Sequence, residues 1–449
     1  MKILKTSLCA VALSLLTAPV AANAGVLGID GEEHSSIGIY IYNIKADTLV
    51  FASEAQRNLC PASIMKSLTS ATALSLLGKN HRYATKVSLR GTTDSNGVFT
   101  GIVNVEADGD PTLESRHFKK YNGFTDSIAA AMKRRGITAF HGQVTVSGTM
   151  AQDGPVQQWQ IDDVAWSYGA GIYRFNWRDN TFQYNGNGTT TPRVPGLKIV
   201  KRTSSGGTDL VRGIWDDTLY AFLPSQNAGF TSTVPHPDRV FGAEMKDKLS
   251  AYGIKFTPVP EKELKVSGKQ SVLLYTHYSA PLSDILRSLM FRSDNMFAEA
   301  TLLALAPGQK RSAAIAKEKK FWSSKGLATS YVTILDGSGL SRANRVSPAF
   351  MGGMLRKMAA GADSRTYTSL FPRTGRQGTV KSFLKGTRLE GRLGLKTGSM
   401  NGVQCYAGYA FGTDGTPTHV VVVMANSFYC SRDALRTAIA NMLLKKVQF

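Results

Sequence analysis

The strand-forming segments of this chain sit at its two ends, and that placement limits its possible folds more than any other feature. Near the start, "SIGIYIYNIKADTLVFAS" (36–53) reads as two β-strands joined by a turn at Lys45 to Asp47, with alternation and β-branched residues. Near the end come three strand-like runs, "LGLKTGS", "QCYAGYAFG" and "THVVVVMANS", then the helix-patterned "RDALRTAIANMLLKK". Two early strands, three late strands and a terminal helix can build one sheet if the middle of the chain is carried as an insertion. From about 84 to 265 the texture does change, to short strands and Gly/Thr/Asn turns with one helical stretch at 125–135. Helical patterning returns at 280–306 and 348–360, and no short-period repeat or low-complexity tract stands out. A chain of 449 residues is also too long for one compact core. The expected organisation is a divided α/β domain, 25–83 and 266–449, around a β-rich inserted part, 84–265.

The chemistry-bearing residues follow the same division. In "CPASIMKSLTSATALSLLG" (60–78), Ser63 lies three residues before Lys66 at the start of a helix that Pro61 opens and Gly78 closes, with Ile64, Leu68, Ala71 and Leu74 at helical spacing. Residues three apart share a helix face, so the Lys66 amine can reach the Ser63 hydroxyl. "SDN" (Ser293, Asp294, Asn295) joins two helical stretches, and "KTG" (Lys396, Thr397, Gly398) falls on a predicted strand near the end. Each motif alone has an ordinary reading: Ser63 as a cap, Asn295 as a turn former, Lys396 as a solvated charge. A second S-x-x-K, Ser382 and Lys385, comes after SDN and breaks the order. Together, in this order and setting, the motifs describe a nucleophilic-serine site of the kind found in class A β-lactamases and penicillin-binding proteins. Lys66 would act as base once a neighbouring cation such as Lys396 depresses its pKa. Ser293 can relay a proton, Asn295 can hold a peptide group, and the backbone N–H groups of Ser63 and Ser399 would form an oxyanion hole. Lys396 and Thr397 can bind a substrate carboxylate.

Further segments carry a family resemblance over most of the chain. "DGDPTL" (108–113) is similar to a G-x-G-D-P-x-L segment, with Asp108 at the usual first glycine. "DDVAWSYGAGIYRFNWRDN" (162–180) resembles W-D-D…Y-G-A-P…N-x-N, with Gly171 where proline is usual. "DGSGLSRANRVSP" (336–348) and "FPRTGRQGTVKSF" (371–383) match closely. The sequence thus resembles the class C low-molecular-mass penicillin-binding proteins, serine D-Ala-D-Ala carboxypeptidases and endopeptidases of the penicillin-binding protein 4 type. That resemblance implies a penicillin-recognising transpeptidase/β-lactamase-like domain with β-rich insertions, and catalytic Ser63, Lys66, Ser293 and Asn295. It implies substrate binding by Lys396, Thr397, Gly398 and Ser399, peptidoglycan stem peptides as substrate and β-lactams as covalent inhibitors, with no cofactor. The competing readings are a serine β-lactamase and a non-catalytic wall-binding protein on the same fold. A β-lactamase would have a shorter interval between S-x-x-K and S-x-N and an E-x-x-L-N-type glutamate, which the Lys66–Ser293 interval lacks. A retired site need not keep Ser63, Lys66, Ser293, Asn295 and Lys396 together. The seven histidines show no metal-binding spacing, so no metal is expected.

The formal charge of +21 raises nucleic acid as a partner, but the basic residues are dispersed. Export argues against that partner and favours anionic wall polymer or membrane surface, with solubility as the alternative reason for the charge. Export is read from Lys2 and Lys5, the apolar "LCAVALSLLTAPVAA" and the small residues Ala22, Asn23 and Ala24 before Gly25. The apolar stretch is short for a membrane anchor. Cys60, Cys405 and Cys430 then remain, and Cys405–Cys430, in one C-terminal unit, is the expected disulfide. The expected location is periplasmic. N-terminal sequencing of the exported protein is expected to begin at Gly25; material beginning at Met1 contradicts cleavage.

Overall fold

A computed structural model describes residues 25–148, 153–204, 206, 209–266 and 270–449. The expected signal segment, 1–24, lies outside the described residues. Both ends of the chain meet in one antiparallel sheet, whose strands run in the order Leu393–Met400, Val403–Phe411, Pro417–Asn426, Ser36–Asn43, Thr48–Ser53. Ile39 stands opposite Val423 and Gly38 opposite Met424. The valine run of Pro417–Asn426 is buried on both faces, as expected of a strand covered on both sides. Val420, Val422 and Met424 face a large helical layer, while Val421, Val423 and Ala425 face Leu435, Ile439 and Leu443 of the last helix, Arg432–Lys446. The result is a three-layer α/β/α unit. Burying each valine side chain contributes roughly 1.5–3 kcal/mol.

The helix Met65–Leu77 runs through the centre of the helical layer. Every residue from Met65 to Leu74 is buried, so the expected single apolar stripe becomes burial all round. Its polar residues are accommodated individually. Thr69 Oγ1 donates to the Gly337 carbonyl at 2.8 Å, and Thr72 Oγ1 receives the Trp322 indole N–H at 2.8 Å.

A second five-stranded sheet, ordered Lys255–Pro258, Ala139–Gly148, Val98–Ala107, Ala84–Thr93, Ser271–Tyr278, has its own core with Phe124, Phe175, Trp177 and Phe241. It includes Ser271–Tyr278, just beyond the β-rich span, which pairs with Ala84–Thr93. Two three-stranded sheets accompany it. The expected helix at 125–135 is present as Phe124–Arg134. A second helix, Pro237–Ala251, was not expected. It buries Val240, Phe241, Met245 and Leu249 on one side, and Gly242 and its dense charges obscure that stripe in the sequence.

The Cys405–Cys430 disulfide is not formed; Cys60, Cys405 and Cys430 are all free. Cys405 packs into the core on the helical side of the sheet, whereas Cys430 packs against the core under the last helix. The sheet lies between the two thiols. Cys60 serves through its backbone: Asn426 Oδ1 accepts its N–H at 2.7 Å and Asn426 Nδ2 donates to its carbonyl at 3.1 Å. Non-reducing peptide mapping is expected to find Cys405 and Cys430 unlinked; a cross-linked peptide contradicts this placement.

Candidate active site

Ser63 sits in a tight turn, Ala62–Ile64, at the mouth of the central helix. Ala62 has φ +46°, a left-handed conformation that non-glycine residues adopt only under constraint. The constraint is visible on two sides. A Cβ on Gly339 would lie 1.9 Å from the Ala62 carbonyl oxygen, and one on Gly398 would lie 2.5 Å from that of Pro61 and 3.1 Å from the Ser63 nitrogen. Only glycine lets the 336–344 loop and the KTG strand close on the serine turn from opposite directions.

Lys66 is wholly buried one turn into the helix. Its Nζ lies 2.9 Å from Ser63 Oγ, 2.6 Å from Asn295 Oδ1 and 2.6 Å from the Ser338 carbonyl oxygen. Burial lowers its pKa to about 8, against the opposing pull of Asp336, Glu299 and Asp294. Lys396 is also wholly buried, its Nζ 2.9 Å from Ser293 Oγ and 2.7 Å from the Thr397 carbonyl oxygen. Its pKa lies well below the usual lysine value, because of burial first and the Lys66 charge second. Burial, rather than the neighbouring cation, is therefore the main reason that Lys66 can be neutral.

The SDN segment is a hinge between two helices. Ser293 ends Leu282–Arg292 in a left-handed conformation (φ 62°, ψ 39°), and Asp294 caps Asn295–Leu303 by accepting the Phe297 N–H at 3.1 Å. This turn aims Ser293 at Lys396 and Asn295 at Lys66. Asn295 Nδ2 donates to the Tyr168 carbonyl at 2.8 Å, so the inserted part touches the motif directly.

The structure therefore brings together Ser63, Lys66, Ser293, Asn295 and Lys396. Lys396, sealed behind Ser293, is not open to solvent, whereas Thr397 is half-buried and Ser399 exposed. Thr397 Oγ1 bonds Thr379 Oγ1 at 2.8 Å, and Ser399 Oγ accepts from Arg432. A cleft of about 450 Å³ is lined by Ser63, Tyr168, Ser293, Asn295, Arg342 and Ser399, among others. A larger cavity of about 660 Å³, between 153–158 and the helix Arg311–Ser324, contains none of the motif residues. Ser382 of the second S-x-x-K bonds Arg436 at 3.1 Å and takes no part in the cleft. Among the described residues, no group of three or more His, Cys, Asp or Glu side chains converges as a metal site.

Sequence reasoning missed Tyr168, Ser338, Arg342 and Arg432. Tyr168, Ser338 and Arg342 stood in segments quoted for the family resemblance without a role. Tyr168 and Ser338 also act through backbone carbonyls, which leave no trace in residue type.

The chain is 25% identical over 416 residues to a D-alanyl-D-alanine carboxypeptidase of Actinomadura sp. (strain R39), covering 84% of this chain and 76% of that one. The crystal structure of penicillin binding protein 4 from Haemophilus influenzae superposes with a TM-score of 0.78 at 24% identity, covering 92% of this chain and 96% of that one. The same protein complexed with a β-lactam superposes at 0.73 and 23% identity, over 93% and 97% of the two chains. Those superpositions establish the penicillin-recognising fold. Residues 22–204 and 218–446, most of the chain and all of its motif residues, match one family model, and the chain belongs to the D-Ala-D-Ala carboxypeptidase 3 (S13) family.

Proposed function

We propose that Ser63 is the nucleophile with which this serine-type D-Ala-D-Ala peptidase opens peptidoglycan stem peptides, and that Lys66 is its base. The observation that carries the reading is a buried amine with a pKa lowered to about 8, 2.9 Å from the Ser63 hydroxyl. Neutral Lys66 takes the Ser63 proton as Oγ attacks the carbonyl carbon of the D-Ala that becomes the acyl group. Backbone N–H groups of Ser63 and Ser399 receive the developing oxyanion. The proton that Lys66 took passes through Ser293, which is bonded to Lys396, to the departing amine, leaving Lys66 neutral again; that amine is free D-Ala at a stem terminus or the partner peptide at a cross-link. Asn295 and the half-buried Thr397 hydroxyl position the substrate, and the buried Lys396 amine holds Ser293 from behind. Lys66 then draws a proton from the water that attacks the Ser63 ester and returns it to Ser63 Oγ as the ester bond breaks. A β-lactam undergoes the same attack but keeps its leaving group tethered, so its acyl-enzyme turns over slowly.

The exported, periplasmic setting belongs to this reading, as does peripheral contact of the basic surface with anionic wall or membrane. Among the described residues, no helix is long and apolar enough to cross a membrane. The division into 25–83, 84–265 and 266–449 also belongs here, with the β-rich part governing access of polymeric substrate. Support for that role comes from the motif residues, which all lie outside 84–265. The insertion's contact with Asn295 through Tyr168 makes it a brace for the site as well.

Labelling with a fluorescent penicillin, followed by peptide mapping, is expected to modify Ser63 and to show slow release; rapid turnover instead favours a β-lactamase. Lys66→Arg retains charge and length but cannot accept a proton near neutral pH, since arginine's pKa exceeds roughly 12. Lys66→Arg and Lys66→Ala are expected to lose comparable acylation, on the order of 10² to 10⁴-fold, with near-native circular dichroism. An arginine variant within about tenfold of the parent refutes the base assignment. The parent's acylation rate should rise with pH toward a plateau above about 8, because protonated Lys66 is inactive below its pKa. A rate independent of pH across that range contradicts the assignment.

A further inference from the structure

Lys66 has three oxygen neighbours, and they are not equivalent. A neutral primary amine has two N–H donors and one lone pair. Asn295 Oδ1 and the Ser338 carbonyl oxygen only accept, whereas the Ser63 hydroxyl can also donate. With both N–H groups given to the two carbonyls, the lone pair is left facing the Ser63 proton. The direction of the base therefore depends on what holds the two carbonyls.

Asn295 is held by the Tyr168 carbonyl. The Ser338 carbonyl belongs to a loop, and Glu299 holds that loop from beneath. One Glu299 carboxylate oxygen accepts the N–H of Gly337 at 3.0 Å and of Ser338 at 2.8 Å. The other oxygen pairs with the Arg311 guanidinium. Asn295 and Glu299 are four residues apart on Asn295–Leu303, so one helix face supplies both the direct partner of Lys66 and the anchor of the second. Glu299 is wholly buried and is the single charged residue in that apolar helix. Burying a carboxylate there costs stability that its two N–H donors and Arg311 offset.

We propose that Glu299 is a positioning residue for the acyl transfer: it clamps the Gly337–Ser338 peptide so that the Ser338 carbonyl fixes the Lys66 amine with its lone pair toward Ser63. The proposal rests on the assignment of Ser63 and Lys66 as nucleophile and base. Burial raises the Glu299 pKa and Arg311 opposes that rise, while the carboxylate accepts from donors on both oxygens, as the ionised form does. The charged groups facing Lys66 are Lys396 on the KTG strand, Asp294 at the helix cap, Asp336 in the loop and Glu299 itself. Arg311 and Glu318 stand behind them on Arg311–Ser324, with Glu318 bonded to Thr72 of the central helix. The Glu299 charge favours protonated Lys66. Removing it lowers the lysine pKa, so the active neutral amine persists to lower pH.

The test is the pH profile of acylation by fluorescent penicillin for the parent and folded variants. Glu299→Gln keeps an oxygen able to accept both N–H groups and removes the charge. Glu299→Gln combined with Arg311→Met removes both charges of the buried ion pair together, should the single variant fold poorly. Both are expected to label at Ser63 with the acid limb of the profile displaced to lower pH. Glu299→Ala, which loses the acceptor too, is expected to lose about tenfold or more of the plateau rate. A merely structural role lowers the rate at every pH and leaves the limb where it was. A folded Glu299→Ala variant with the parent's plateau rate overturns the clamp, and coincident acid limbs for the parent and the folded glutamine variants overturn the part that the Glu299 charge plays at Lys66. Failure of the parent itself to label at Ser63 overturns the underlying site assignment, and this proposal with it.

Discussion

The removal of the Lys66 amine from water is the constraint on which the rest of the site depends. An ammonium group is strongly hydrated, and burying it favours the neutral form. The protein completes that burial with Asn295 and Ser338 while leaving one approach open to Ser63. Several local irregularities are explained by this enclosure. Ala62 is held left-handed so that the serine turn tucks beneath two other segments, and Gly339 and Gly398 omit the side chains that would keep those segments away. Ser293 is left-handed because one short hinge must direct Ser293 and Asn295, two residues apart, at two different lysines.

The inserted part is tied to this enclosure rather than hung beside it. Trp159 Nε1 donates to Asp336 at 2.9 Å, and Asp336 in turn holds the Gly339 and Ser341 N–H groups of the loop that faces Lys66. Tyr168 holds Asn295, and Gln160 bonds Arg342 at 3.0 Å on the rim of the cleft. One short stretch of the insertion thus reaches both neighbours of the catalytic helix. A disturbance in that stretch would be transmitted through rigid hydrogen bonds to groups in contact with Lys66, Ser63 and the incoming peptide.

What the sequence made legible and what it hid divide along a physical line. The proposed acyl transfer needs particular side chains, so Ser63, Lys66, Ser293, Asn295 and Lys396, which the structure brings together, could be picked out by type, order and setting. The sheet was legible because period-two alternation and the valine run state their own burial. Backbone carbonyls carry no residue signature, so the Ser338 and Tyr168 contacts were hidden. Glu299 left one trace, a lone acid four residues after Asn295 in an apolar helix. The buried serines and threonines of Met65–Leu77 made a helix enclosed on all sides look amphipathic. Proximity in sequence misled at Cys405 and Cys430, because adjacent elements can face opposite sides of one sheet.

The pairing of Ser36–Asn43 with Pro417–Asn426 also bears on how the protein is made. Bringing together strands separated by almost the whole chain costs on the order of 5 kcal/mol of loop-closure entropy. The second core can form from contiguous residues and shorten that loop, but the central sheet cannot close until the last strands exist. The clamp between Asn426 and Cys60, next to the Ser63 turn, forms at the same moment. Synthesis therefore completes the turn that carries Ser63 only after the strand Pro417–Asn426 has been added, and a chain that ends before that strand lacks its support.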